Sequence, residues 1–392
     1  MTANTSTTQF SATHSPRRKR FKWTKLKEQL TGYLFIAPAV SIIAVFGLIP
    51  IGYAFYMSLY RWRARKGPFV GIENYAETIG DWKGLLVFLL GVGLIVLAYV
   101  IWTRAFKANS NRLLVAGIIT ACALVGAGVF ITLGWDRMVD STREEFLPSL
   151  IYTVYYAVGS VPLQLGLGMI LAYILFQNIR GKEFFRMLFF LPYVTPLVAT
   201  AAVFRTIFSP RETALMNQAL GLLGIGAQDW LFEPKALTEL LGLNIQGFLA
   251  GPSLALVSII IYGVWTYVGY DAVIFLAGLG SIPGELYEAA EIDGASRIQQ
   301  FRHITLPLLS PVTFYLSLIA TIGTFKAFNH IYVMRTPSAQ GTANTASIAI
   351  FDTFYKSNQY GMATAQAILL FLIILALTQV QNKVFGEKVF YG

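Results

Sequence analysis

The sequence predicts an all-α membrane protein, a polytopic bundle of about eight transmembrane helices. Three observations carry this. The composition is 55% hydrophobic and 13% charged, with a mean hydropathy of +0.59, far from the balance of a soluble domain. A helix needs roughly 20 apolar residues to cross a bilayer core of about 30 Å. Runs that approach or exceed this length recur at about 33–57, 84–103, 113–135, 149–176, 187–208, 253–279, 308–331 and 364–382. The runs are continuous, whereas barrel strands alternate in short segments, so the crossings are helical.

In chain order, residues 1–16 are rich in Ser and Thr and predict a disordered start. RRKRFKWTKLK follows, and seven basic residues fall within the first 27. With eight crossings, a cytoplasmic N-terminus shares its side with 104–112, 177–186, 280–307 and the C-terminus. Those segments hold 17 Lys and Arg against 7 Asp and Glu, which fits the positive-inside rule. The net charge of +10 therefore reads as topology; no aromatic-basic interleaving points to nucleic acid. The first apolar run lacks an A-x-A site and continues as IPIGYAFYMSLYRW, so it is expected to be retained. The second and third runs form a hairpin through RAFKANSNR. Cys122, the single cysteine, reads as a small buried hydrophobe, and His14, His303 and His330 are too scattered for a metal site.

The fifth run carries Pro192, Tyr193, Thr195 and Pro196, which predict a bend. The outer segment 209–252 has Leu and Ile spacing suited to short amphipathic helices. The sixth run is interrupted by Thr266, Tyr267, Tyr270 and Asp271, and the seventh by Thr321, Gly323 and Thr324. SAQGTANTAS, in 332–363, has loop composition.

EAAEIDGASRIQQFRHITLP, residues 288–307, is polar and lies between two membrane runs. Ser281 is expected to cap a helix with Pro283 in its first turn, and Gly294 to supply a left-handed stop. Ser296 and Gln299 match a capping box that opens a second helix carrying Arg302 and His303. Leu286, Ala289, Ala290 and Asp293 share a slim face, which either packs on the membrane helices or meets a cytoplasmic partner; spacing leaves both open.

Glu288-Ala289-Ala290, then Gly294, then Ile304, Leu306 and Pro307, resemble the EAA loop of bacterial ABC-importer permeases, with every fixed position filled. FVGIENY (69–75), FFRMLFFLPYVTP (184–196), FLAGLGSIPGELYEAAEIDGAS (275–296), FKAFNHIYV (325–333) and YGMATAQA (360–367) are similar to the carbohydrate branch, the maltose-type and glycerol-phosphate-type permeases. The resemblance implies a type I importer permease core at 146–385, with the coupling loop at 281–307. A first helix at 30–60 and an outer loop plus extra hairpin at 61–145 would precede the core. Cytoplasmic tails would lie at 1–29 and 386–392.

It further implies that Glu288, Ala289, Ala290, Asp293, Gly294, Ile304, Leu306 and Pro307 couple to an ATPase. Sugar contacts are implied at Tyr193, Tyr270, Gly323 and Thr324, with Gly263, Thr266 and Tyr267 as further positions. The implied partners are two ATP-binding cassette subunits holding ATP and Mg, a second homologous permease chain, an extracytoplasmic solute-binding protein and a sugar. The setting would be the lipid bilayer of a bacterial cytoplasmic membrane, with both termini cytoplasmic. The chain itself has no phosphate-binding G-x-x-x-x-G-K-[ST]; Gly181-Lys182 is followed by Glu183. An alternative, a proton-coupled carrier, would rest on Asp271. The extra hairpin, the insertion near 240–252 and RTPSAQGTANT, in place of a glycine-rich GGP, depart from the family pattern.

Overall fold

The computed structural model describes residues 23–107, 113–142, 144–243, 245, 250–386 and 389. The Ser/Thr-rich start, most of the basic leader and of the 386–392 tail, and the hairpin turn at 108–112 lie outside the described residues. The chain divides into two compact units, up to Ala54 and from Phe55 onward. The first holds α1 (Trp23–Ile43), a π-helical turn (Ala44–Leu48) and the start of α2 (Ile49–Ser58).

In the second unit, α3 (Glu73–Ile79) is followed by the hairpin of α4 (Trp82–Lys107) and α5 (Leu113–Ser141). Both hairpin helices are longer than their apolar runs. Cys122 is exposed on α5, contrary to the buried position expected from its apolar neighbours: those neighbours also face outward, as a membrane helix allows. Then come α6 (Phe146–Phe176), the short pair α7 (Lys182–Val194) and α8 (Leu197–Ile207), and the short helices α9 (Leu215–Leu222) and α10 (Leu237–Leu240). The long α11 (Leu254–Gly280) leads into α12 (Gly284–Ile292), α13 (Arg297–Gln300) and α14 (Leu306–Leu308). The rest is α15 (Ser310–Phe325), α16 (Asn329–Met334), α17 (Ala346–Phe351) and α18 (Tyr360–Phe385).

Six described helices are long and apolar enough to cross a membrane, or up to eight if the two bent pairs count as single spans. The seventh apolar run, expected to 331, ends as a helix at Phe325; Lys326 caps it and α16 starts separately after a break.

The centre is the pairing of α6 with α11. On α6 the buried positions Ser149, Thr153, Tyr156, Ser160, Gln164, Gly168 and Ala172 recur every three or four residues, giving one small and polar stripe. Membrane helices associate through such stripes, because lipid offers no hydrophobic drive and close backbone approach must supply dispersion contacts. Hydroxyls on the stripe bond back to their own helix, as Thr153 does to the Ser149 carbonyl (2.8 Å) and Ser160 to that of Tyr156.

The segment between α16 and α18 is stitched by charge. Arg335 donates to both carboxylate oxygens of Asp352 (2.7 and 3.0 Å), Lys356 donates to the same carboxylate (2.9 Å), and the guanidinium lies over the Tyr332 ring. Burial acts to raise the Asp352 carboxyl, but the hydrogen bonds from Arg335 and Lys356 outweigh it and hold the group below the usual carboxylate range. A depressed carboxylate contributes stability that is complete above its unfolded value near 4 and is lost as pH falls through the lower folded one. Asp352→Asn is expected to destabilise the protein by about 1.5–3 kcal/mol at neutral pH, the range for a charge-assisted hydrogen bond, and to flatten its acid sensitivity below pH 4. Thermal unfolding of the purified protein against pH reads both effects.

Candidate coupling foot and helix break

Two regions gather the residues singled out in the sequence. The first is the segment after α11. Helix α11 runs to Gly280, one residue past the expected end of its apolar run, so Ser281 is its C-cap, and its hydroxyl bonds the Gly278 carbonyl (2.7 Å). Pro283, not Ser281, stands at the N-cap of α12 and gives no side-chain cap; its missing N–H costs nothing there. The end of α12 is a Schellman motif. Ala295 N–H donates to the Ala290 carbonyl (2.9 Å), Gly294 N–H donates to that of Glu291 (3.0 Å), and Gly294 sits at φ +77°. Nothing lies within 4 Å of a Cβ added to Gly294, so a side chain there meets left-handed strain and no clash.

The capping box is present: Ser296 Oγ accepts from Gln299 N–H (3.4 Å), and Gln299 Oε1 accepts from Ser296 N–H (2.7 Å). From there the helix does not stop at Arg302 and His303. It passes through a π-helical turn, Phe301–Thr305, into α14, bends by 62°, and becomes α15.

The two limbs are held as one body. Tyr287 on α12 and Thr305 share a hydroxyl–hydroxyl bond (2.9 Å), and Phe301 meets Tyr173 of α6 edge to face at 5.1 Å. A Cβ on Gly278 would come within 2.9 Å of Leu309 and Val312, which places α11 and α15 in close contact just above the foot. Tyr287, Thr305, Phe301 and Gly278 are structural residues that the periodicity of the segment did not mark. Their partners are far away in sequence.

The foot exposes Glu285, Glu288, Ala289, Glu291 and Asp293, with Ile292 87% and Ile298 79% exposed among them. Two isoleucines this exposed, rimmed by carboxylates, have the composition of a docking surface. Ala290 and Ile304 are half-buried, Pro307 likewise, and Leu306 is exposed; Ile304, Leu306 and Pro307 belong to the rod that joins the foot to α15 and not to its tip.

The second region is the break between α7 and α8, where the axes turn by 94°. Pro196 lacks the N–H that would bond the Pro192 carbonyl, and Thr195, the residue before proline, is pushed to an extended conformation at ψ 146°. Thr195 Oγ1 donates to that freed carbonyl (2.8 Å). Both limbs are pinned on α11. Tyr262 donates to the Leu197 carbonyl (3.0 Å) and shares a bond with the Thr200 hydroxyl, and Phe189 of α7 passes so close to Gly269 that an added Cβ would lie 1.7 Å from its carbonyl oxygen. Gly269 went unmarked in the sequence because a glycine in an apolar run carries no periodic signal.

At the break three tyrosines converge. Tyr193 stacks on Tyr270 at 4.5 Å and 24°, and meets Tyr267 at 6.0 Å. Gly263 and Thr266 lie inside the helix packing: a Cβ on Gly263 would approach the Tyr156 hydroxyl to 2.5 Å, and the buried Thr266 hydroxyl is spent on the Tyr262 carbonyl. Gly323 is exposed, whereas Thr324 is buried and bonds the Thr321 carbonyl (2.9 Å). No ring contact or side-chain hydrogen bond among the described residues ties Gly323 or Thr324 to the tyrosines. Asp271 is buried against Gly168 of α6, and one carboxylate oxygen has no hydrogen-bond partner.

Residues 164–391 match the family described as the inner membrane component of binding-protein-dependent transport systems. The chain is similar to the trehalose/maltose transport system permease protein MalF of Thermococcus litoralis, 27% identical over 92% of this chain and 95% of that one. It is similar to the arabinooligosaccharides permease protein AraP of Bacillus subtilis, at 28% over 91% and 88%, and to the lactose permease protein LacF of Rhizobium radiobacter, at 29% over 89% and 93%. Among solved structures it matches a chain of a bacterial ABC transporter that imports alginate. The TM-score is 0.62, the sequences are 18% identical, and the match covers 93% of this chain and 98% of that one, a likeness of fold.

Proposed function

Because the chain belongs to the family of binding-protein-dependent transport system inner membrane components, we propose that it forms half of the pathway of an ATP-driven sugar importer. A second, related permease chain supplies the other half. The foot at 284–300 seats in a groove of a separate ATPase subunit, one of two, which binds ATP and Mg, and an extracytoplasmic solute-binding protein delivers the sugar. The foot faces the cytoplasm of a bacterial cell together with both termini, as the basic residues of the sequence indicate.

The observation that carries this reading is the rigid foot with exposed Ile292 and Ile298. A polar, two-helix body braced on both α6 and α15 transmits a push from outside the bundle to two of its spans. Glu288, Ala289, Ala290 and Asp293 line or cap its first helix, Gly294 turns the chain, and Ile304, Leu306 and Pro307 carry the movement into α15.

The Tyr193–Tyr267–Tyr270 cluster at the α7–α8 break is the proposed sugar contact. Sugar C–H faces stack on aromatic rings, and the phenol groups supply orienting hydrogen bonds. Gly323 and Thr324 complete the path from α15, while Gly263 and Thr266 act behind it by setting the packing of α11. Tyr270→Ala is expected to cut uptake at least tenfold in reconstituted vesicles, and Tyr270→Phe to retain most of it. The complex should still assemble in both. Full uptake by Tyr270→Ala would remove the cluster from the pathway. A proton-coupled carrier is set aside: Asp271 is one buried acid that receives no side-chain hydrogen bond among the described residues, and membership of the family favours an energy source on a separate chain.

A further inference from the structure

The extra hairpin does not close completely on the bundle. Between α4–α5 and the helices α6, α15 and α18 runs a cavity of about 680 Å³. Its lining is apolar except for Thr321 and Gln381. The Gln381 amide donates to the Thr321 hydroxyl (3.0 Å), which leaves its buried carbonyl oxygen without a partner.

The shape identifies what fits. Along α6 the lining runs from Phe146 to Pro162. At a rise of 1.5 Å per residue that is about 24 Å, so the mean cross-section lies between roughly 30 Å² and, with the open mouth counted (about 1600 Å³), roughly 65 Å². A helix of 10–12 Å diameter needs about 80–110 Å², so no helix, from this chain or a partner, enters without prying the hairpin away. Water is also a poor occupant, since each molecule needs two to four polar partners and the walls offer almost none. An extended hydrocarbon chain fits within this section and has the right chemistry. The cavity is walled mainly by α4, α5, α6 and α18, each long and apolar enough to span a bilayer, whose interior is made of such chains. An unfilled space would forfeit the dispersion contacts of its whole lining.

We propose that the slot between the hairpin and the bundle holds one acyl chain of a bilayer phospholipid, an integral lipid that fastens α4 and α5 to the permease core. The hairpin then packs on the bundle through the lipid as well as directly, where Met138 of α5 shares a hydrophobic cluster with Phe146 and Leu147 of α6. Filling the slot with a side chain displaces the lipid and leaves the crossing helices in place.

The test uses the complete importer. Native mass spectrometry of the detergent-purified complex is expected to find one phospholipid retained by this chain. Ala157→Phe, which projects a ring from α6 into the slot, should lower that occupancy at least fivefold. In bilayers of phospholipid brominated on the acyl chain, Trp135, which lines the slot, should be quenched. That quenching, isolated as the difference between wild type and Trp135→Phe, should persist after the bulk lipid is exchanged for unbrominated lipid. Absence of a retained phospholipid, or quenching that decays as fast as the bulk lipid exchanges, would overturn the proposal. So would a photo-cross-linker at Val154 that captures a protein chain in place of lipid.

Discussion

Gly269→Ala is expected to reduce transport below a tenth of wild type and to lower the yield of assembled complex, although it adds one methyl group. The Cβ would lie 1.7 Å from the Phe189 carbonyl oxygen, a backbone atom that cannot rotate away, so α7 must lift off α11. Overpacking a close contact costs about 1–3 kcal/mol where side chains can adjust, and more is expected here because the obstacle is main chain. The functional loss should exceed the loss of stability. Moving α7 also separates Tyr193 from Tyr270 and frees the 94° break that Tyr262 and Gly269 together hold. Uptake and thermal unfolding of the reconstituted importer measure the two effects. Wild-type values for both would mean that the crossing is loose and that the break is not positioned by α11.

Ile292→Asp is expected to disconnect the permease from its ATPase while leaving the permease fold intact. Ile292 is 87% exposed in the isolated chain, so its replacement removes almost no internal contact. At the centre of a docked interface the same side chain would be desolvated, and a buried unpaired carboxylate in its place costs at least about 2 kcal/mol, the scale of an interface hot spot. The predicted result is at least a thirtyfold weaker association with the ATPase subunits and no stimulated hydrolysis, with an unchanged melting temperature for the permease pair. Ile298→Asp should act in the same direction. Unchanged association for both variants would assign the foot's apolar tip to some other purpose.

Local features of this molecule were readable from neighbouring residues alone. The Schellman stop at Gly294, the capping box of Ser296 and Gln299, and the helix break at Thr195-Pro196 are each set by side chains within a turn of one another, so their signals survive in linear sequence. The polarity of 284–300 likewise marked it as the element that cannot lie in lipid.

What escaped depends on distant partners. The Tyr287–Thr305 bond, the Phe301–Tyr173 contact and the bare approach of Phe189 to Gly269 bring together residues from different helices, and no local spacing encodes them. Ser281 was misassigned because α11 used its hydroxyl at its own end, while Pro283 opened the next helix. The outward position of Cys122 has the same root: in an apolar medium a hydrophobic side chain gains little by turning inward, so hydropathy does not separate core from lipid face on α5.

The central claim is that the tip of α12 touches an ATPase on the cytoplasmic side. Since Cys122 is the single cysteine, Cys122→Ser gives a cysteine-free background in which Ala289→Cys, exposed on α12, is the lone reactive site. In the assembled importer a short thiol-to-amine cross-linker should join this cysteine to an ATPase subunit, and a membrane-impermeant thiol reagent added outside intact cells should fail to label it. Labelling from outside, or a cross-link only to the partner permease or the solute-binding protein, would contradict the account.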